Sequence, residues 1–259
     1  MGGVSKGGVM KLSLCLNSAT GSLGRTDAMK LAKKLGFTAV EFWEGKDFDL
    51  EAYKAVLSET ALTLACMGSG KNLVDPGTRQ EFLDGIKLSL DNAIKLGAKG
   101  IIVTTGQELE GVPREKQHQS IVEGLKAAAG IVAGSGIRLL LEPLNILVNH
   151  PGYYLYSSAE AFEIIRKVNS PDIKLLFDIY HQQVSEGNLI ANICDNIDLI
   201  GHFHAAGNPG RGELYLGEIN YKEVFSAIRA AGYDAYVGLE YWPKEDYELS
   251  LKKCLEFYG

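Results

Sequence analysis

The sequence predicts an α/β protein, a single (β/α)8 TIM barrel, and three observations predict it. Eight short apolar runs alternate with segments of helical length whose apolar residues recur with a 3.6-residue period. The runs are near-continuously apolar, as in a parallel sheet covered on both faces. The chain of 259 residues also matches the roughly 250 residues such a barrel uses as one domain.

The first strand lies at about 12 to 16. A loop with Gly21 and Gly24 leads from it to Thr26 and Asp27, either of which can cap a helix over Leu31 and Leu35 that closes at Gly36. TAVEFW is strand two, with a helix near Leu50 to Leu57. LTLACM is strand three, followed by a helix from about Gln80 to Leu96 that ends at Gly97. GIIVTT precedes a helix from Pro113, a residue suited to a first helical turn, to about Ala133. RLLLE, IKLLFD, LIGHFH and AYVGLE complete the strands. Their helices run from Ser157 and Ser158 to near Val168, and near 186 to 194, 221 to 231 and 245 to 257.

A doubly wound open sheet would also alternate β and α, but its dinucleotide-binding form needs GxGxxG after strand one, where this chain has LNSATGSLG. GSGK at 68 to 71 fails the phosphate-loop template and is expected to be a turn after strand three. Residues 1–10, rich in glycine and without a signal-peptide apolar core, are expected to be a flexible extension of a barrel domain over 11–259.

Composition narrows the partners. A formal charge of −6 and the lack of a clustered Lys/Arg run argue against nucleic acid. No apolar stretch is long enough to span a membrane. Cys15, Cys66, Cys194 and Cys254 are dispersed and read as buried thiols in a reducing, cytoplasmic setting. A small molecule is the expected partner.

The chemistry sits at the strand ends. Glu142, Asp178, His204 and Glu240 each close one of four successive apolar runs, which places them at the mouth of the barrel. Three carboxylates and one imidazole suit a divalent cation, Mg²⁺ or Mn²⁺ before structural zinc. Such a site can polarise a carbonyl while one glutamate removes the neighbouring proton and a second group returns it to the adjacent carbon, a cis-enediolate route. Glu142 and Glu240 are the expected acid/base pair.

His181, on the loop expected after strand six, and Arg211, in a Gly/Pro-rich loop, are candidates for substrate oxygens. His202 is expected to face the helix layer and His118 to be solvated. His150 and Glu41 are near the mouth by position alone. Trp43 and Trp242 can wall a sugar, and the loop carrying NHPGYYLY is consistent with a lid or a contact in a homo-oligomer.

Taken in order, LEPLN, PGYYL, FDIYHQQ, IGHFHAAGNPGR, GEINY and GLEYWP resemble the hydroxypyruvate isomerase family of the xylose-isomerase-like TIM-barrel superfamily, most strongly over about 139 to 243. The resemblance implies a metal-assisted isomerase of the aldose-ketose type. Glu142 and Glu240 would be its acid/base pair, Glu142, Asp178, His204 and Glu240 its metal ligands, and His181 and Arg211 its substrate contacts. Hydroxypyruvate/tartronate semialdehyde or a 2-oxo-tetronate is the implied substrate class. Two positions depart from the pattern. His204 stands where these isomerases usually have glutamine and the related ketose 3-epimerases have histidine. Val148 stands where those epimerases carry a second glutamate. A ketose 3-epimerase is therefore the alternative enzyme, and a sugar-binding barrel the alternative outside catalysis. The endonuclease-like branch of the superfamily needs more histidine ligands and a basic face.

Overall fold

The computed structural model describes residues 9–43, 48–69 and 72–259. Most of the expected N-terminal extension, residues 1–8, and Gly70 and Lys71 of the GSGK turn lie outside the described residues.

Eight parallel strands close into a barrel in sequence order. They are β1 (Leu12–Cys15), β2 (Ala39–Phe42), β3 (Thr63–Gly68), β4 (Gly100–Val103), β5 (Arg138–Leu141), β6 (Ile173–Asp178), β7 (Ile200–Ala205) and β8 (Val237–Leu239). β8 pairs with β1 through Ser13 opposite Gly238, which closes the ring. Outside it run α1 (Arg25–Leu35), α2 (Leu50–Thr60), α3 (Arg79–Leu96), α4 (Arg114–Val132) and α5 (Ser158–Val168), then α6 (Ile179–Ser185), α7 (Leu189–Cys194), α8 (Tyr221–Ala230) and α9 (Tyr247–Tyr258). No helix among the described residues is long and apolar enough to cross a membrane.

The periodicities explain the layers. In a strand, successive side chains take opposite faces, so Leu14, Val40, Leu139, Phe177 and Phe203 join the main core between strands and helices. Their neighbours Cys66, Ile102, Leu140 and Leu176 form a separate apolar cluster, and the polar Ser13, Glu41 and His202 contact one another away from the helices. The same alternation corrects one expectation. Residues 202 and 204 are two apart and share a face, so His202 turns inward with His204, and Phe203 between them takes the helix side.

Several local details differ from the sequence reading. Gly24, not Thr26 or Asp27, is the N-cap of α1, and no side chain caps that end. The segment from Ile179 is helical: Asp178 Oδ1 accepts from the backbone N–H groups of Tyr180 and His181 and starts α6, so His181 lies in a first helical turn rather than a loop. Cys194 is exposed while the other three cysteines are buried. Gly36 and Gly97 take the left-handed conformation that ends α1 and α3.

Phe203 is fully buried against Phe177, with ring centroids 6.1 Å apart, and Tyr233, at 4.8 Å. Phe203→Ala is expected to cost about 3–5 kcal/mol of stability, read as a lower urea midpoint at unchanged slope; a cost below about 1 kcal/mol would show that this layer does not hold β7.

Candidate active site

Four strands deliver the polar groups to one rim. Glu142 follows β5, Asp178 ends β6, His204 is the penultimate residue of β7 and Glu240 follows β8. Register levels them: Asp178 pairs with His204, and His204 with Gly238. The backbone N–H of Glu142 donates to Val103 O at 3.0 Å, and that of Glu240 to Ala205 O at 3.1 Å, which carries the ladder past the last strand residues. One side-chain donor atom from each of the four lies within 4.8 Å of the others, and all four residues are buried.

Arg211 joins them. Its backbone adopts a positive φ of 51°, and its carbonyl accepts from the Trp242 N–H at 2.9 Å. Nη2 donates to Asp178 Oδ2 at 3.1 Å and pairs with Glu240 Oε2. The guanidinium carbon lies 5.3 Å from the Tyr180 ring centre and 5.1 Å from that of Trp242, cation–π contacts that hold the charge over the mouth. Its Nε is buried without a partner.

His181 is held from behind. The Asn145 backbone N–H donates to its Nδ1 at 3.1 Å, and Asn145 Nδ2 lies 2.6 Å away. Accepting at Nδ1 puts the ring proton on Nε2, which makes no hydrogen bond and lies 3.5 Å from Asp178 Oδ2. Burial and then the Arg211 charge hold its pKa well below the usual value, so the ring is neutral. Glu142, His181, Arg211 and Glu240 line a cavity of about 240 Å³ together with Trp43, His150 and Thr104. Trp43 Nε1 donates to Glu240 Oε1 at 2.8 Å, a polar role beyond the apolar wall expected of it. His118 lies away from the mouth, half-buried at 3.1 Å from Glu160 rather than fully solvated.

The environments of the two glutamates differ. Burial pushes Glu142 up to about 7, although the nearby His204 opposes the rise. Burial acts on Glu240 too, but the charges of His204 and Arg211 outweigh it and hold that carboxyl below its ordinary value. His204 itself stays well above the usual imidazole range: burial opposes its charge, and Glu240 and Glu41 sustain it.

The donor set fits a divalent cation. His204 Nδ1 is buried without a hydrogen-bond partner, 3.5 Å from Glu142 Oε1 and 3.3 Å from Glu240 Oε2. An orphaned imidazole nitrogen facing carboxylate oxygens is a donor arrangement that Mg²⁺ or Mn²⁺ can use.

Sequence reasoning gave Glu41 little weight. It is buried on β2, and its Oε2 accepts from Ser13 Oγ at 2.7 Å and lies 2.9 Å from His202 Nε2. Its Oε1 lies 2.8 Å from His204 Nε2. The available signal was a carboxylate inside the apolar run TAVEFW, since a buried charge requires partners.

The xylose isomerase-like TIM barrel family matches this chain over residues 29–257. The hydroxypyruvate isomerase of Escherichia coli K12 is 34% identical over 253 residues, covering 94% of this chain and 98% of that one. The 2-oxo-tetronate isomerase of Cupriavidus necator is 30% identical over 227 residues, covering 84% and 87%. Among solved structures, a Brucella melitensis protein described as an AP endonuclease, family 2, superposes with a TM-score of 0.91 at 28% identity, covering 96% of this chain and 100% of that one.

The Glu142 shift has a thermodynamic consequence. The folded carboxyl binds its proton more tightly than the unfolded one, so its stabilising contribution is complete below about pH 4.3 and is lost as pH rises through about 7. Without added metal, the wild-type Tm is expected to fall more between about pH 5 and 8 than that of Glu142→Gln; parallel Tm curves would contradict the assignment.

Proposed function

The chain belongs to the xylose isomerase-like TIM-barrel family and, within it, to the hydroxypyruvate isomerase family; we propose that it moves a carbonyl between adjacent carbons of a three- or four-carbon hydroxy-oxo acid, using Glu240 and Glu142 as base and acid. The observation that carries this reading is the meeting of Glu142, Asp178, His204 and Glu240 within 4.8 Å of one another at the rim.

Each residue has a part that follows from its surroundings. Glu240 is held in its charged form by His204 and Arg211 and takes the proton from the hydroxyl-bearing carbon. Glu142, on the less compensated side of the rim, returns a proton to the neighbouring carbon while the hydroxyl proton passes to the former carbonyl oxygen, so that no proton is gained or lost. Two carboxyls whose environments push them apart divide base and acid between them. His181 presents a neutral Nε2–H to the oxygen on which negative charge grows. Arg211 lines the cavity and brings a guanidinium charge to it that attracts the substrate carboxylate. A divalent cation held by Glu142, Asp178, His204 and Glu240, Mg²⁺ or Mn²⁺, would supply Lewis-acid polarisation of the carbonyl and its adjacent hydroxyl.

The relatives' substrates and the position of Val148 favour a short acid. Val148, at the position where the epimerases carry a second glutamate, is 62% exposed and does not line this cavity. Two members of the family, the Escherichia coli and Cupriavidus necator relatives, are named for acids of this size.

Turnover of hydroxypyruvate and of a 2-oxo-tetronate in D₂O with Mg²⁺ or Mn²⁺ tests the reading. Solvent deuterium is expected on the new C–H carbon of a product whose carbonyl has moved. Deuterium with the carbonyl in its original place would make the protein an epimerase, and no exchange with any short oxo acid would leave a binding barrel. Glu240→Gln is expected to lower kcat by about 10²–10⁴-fold with little change in substrate Kd. Arg211→Lys should act mainly on KM, because a lysine does not reproduce the planar guanidinium between Tyr180 and Trp242; an unchanged KM would remove Arg211 from the substrate site.

A further inference from the structure

Beneath the rim, Glu41, Cys66, His202 and His204 form a second buried group, sharing His204 with the first. Glu41 is its centre: Ser13 Oγ and His202 Nε2 reach one carboxylate oxygen at 2.7 and 2.9 Å, and His204 Nε2 lies 2.8 Å from the other. Cys66 Sγ stands off at 3.7 Å. The barrel makes room for this carboxylate at Gly238, where a methyl group would collide with Glu41 Oε1. A charged side chain crossing the interior of a closed barrel, with space left for it by a glycine, needs a reason beyond packing.

The reason lies in the two ends of one imidazole. Nε2 of His204 faces Glu41, and Nδ1 faces Glu142 and Glu240 at the rim. We propose that Glu41 is a positioning residue that holds the ring of His204 through the 2.8 Å contact of its Oε1 with Nε2, so that Nδ1 is turned toward a cation at the rim. A carboxylate on the far nitrogen of a metal-binding histidine commonly orients the ring and raises its basicity. Ser13 and His202 hold the carboxylate, so the chain of contacts runs from β1 and β7 through Glu41 to His204.

This inference rests on the functional reading above, since it assigns Glu41 a task toward the cation of that site. Mn²⁺ titrations of the intact protein, followed by the signal of free Mn²⁺, separate the two. Wild type is expected to bind one Mn²⁺, and Glu41→Gln to bind it about 10–100-fold more weakly. In a His204→Gln background, Glu41→Gln is expected to add less than about twofold, because Glu41 then has no ring to hold. Ser13→Ala, a milder change that removes one donor to Glu41, is expected to weaken Mn²⁺ binding a few-fold and serves if Glu41→Gln does not fold.

A purely structural Glu41 would lower Tm in both backgrounds and leave Mn²⁺ affinity alone, which overturns the inference while the functional reading stands. Two Mn²⁺ per chain, one of them lost in Cys66→Ser, would overturn it as well. Wild type that binds no Mn²⁺ overturns the functional reading, and this inference falls with it.

Discussion

Three buried carboxylates crowded at the mouth of a closed barrel are the constraint on which the rest of the structure depends. Burial and mutual repulsion both oppose their ionisation, and the fold answers with positive charge on two sides. His204 enters from within the barrel and Arg211 comes over the top from the loop after β7. The compensation is unequal. Arg211 and His204 favour Glu240, while Glu142 lies on the less compensated side and holds its proton longer. That inequality is what supports the proposed division of base and acid between two similar side chains.

The supporting residues make sense as consequences. Arg211 is useful only if it stays in place, and the Tyr180 and Trp242 rings flank it while the Trp242 N–H fixes its backbone. Glu240 has two oxygens, and Trp43 occupies one of them, leaving the other toward the rim. Asp178 serves twice, capping α6 with one oxygen and meeting Arg211 with the other, so the same residue aims His181 and anchors the guanidinium.

Much of this was legible in the sequence because strand ends announce themselves. An apolar run that stops on an acid or an imidazole can be read without coordinates, and four such stops in consecutive units place Glu142, Asp178, His204 and Glu240 on one rim. Less legible was anything that depended on what a residue faces. His202 was assigned to the wrong layer although side-chain parity ties it to His204, and Glu41 drew little notice because its partners are 161 and 163 positions away. Helix α6 is hidden because it begins on the last residue of a strand and runs for only seven residues, too few to show a 3.6-residue pattern. The partner of each polar group is a long-range fact, and only closure of the barrel reveals it.

Anomalous diffraction from crystals grown with Mn²⁺, collected at the manganese edge, tests the central claim most directly. A single peak per chain is expected at the rim, within coordination distance of Glu142, Asp178, His204 and Glu240. A peak elsewhere on the surface or inside the barrel beside Glu41 and Cys66, or no peak at a concentration that supports turnover, would contradict it.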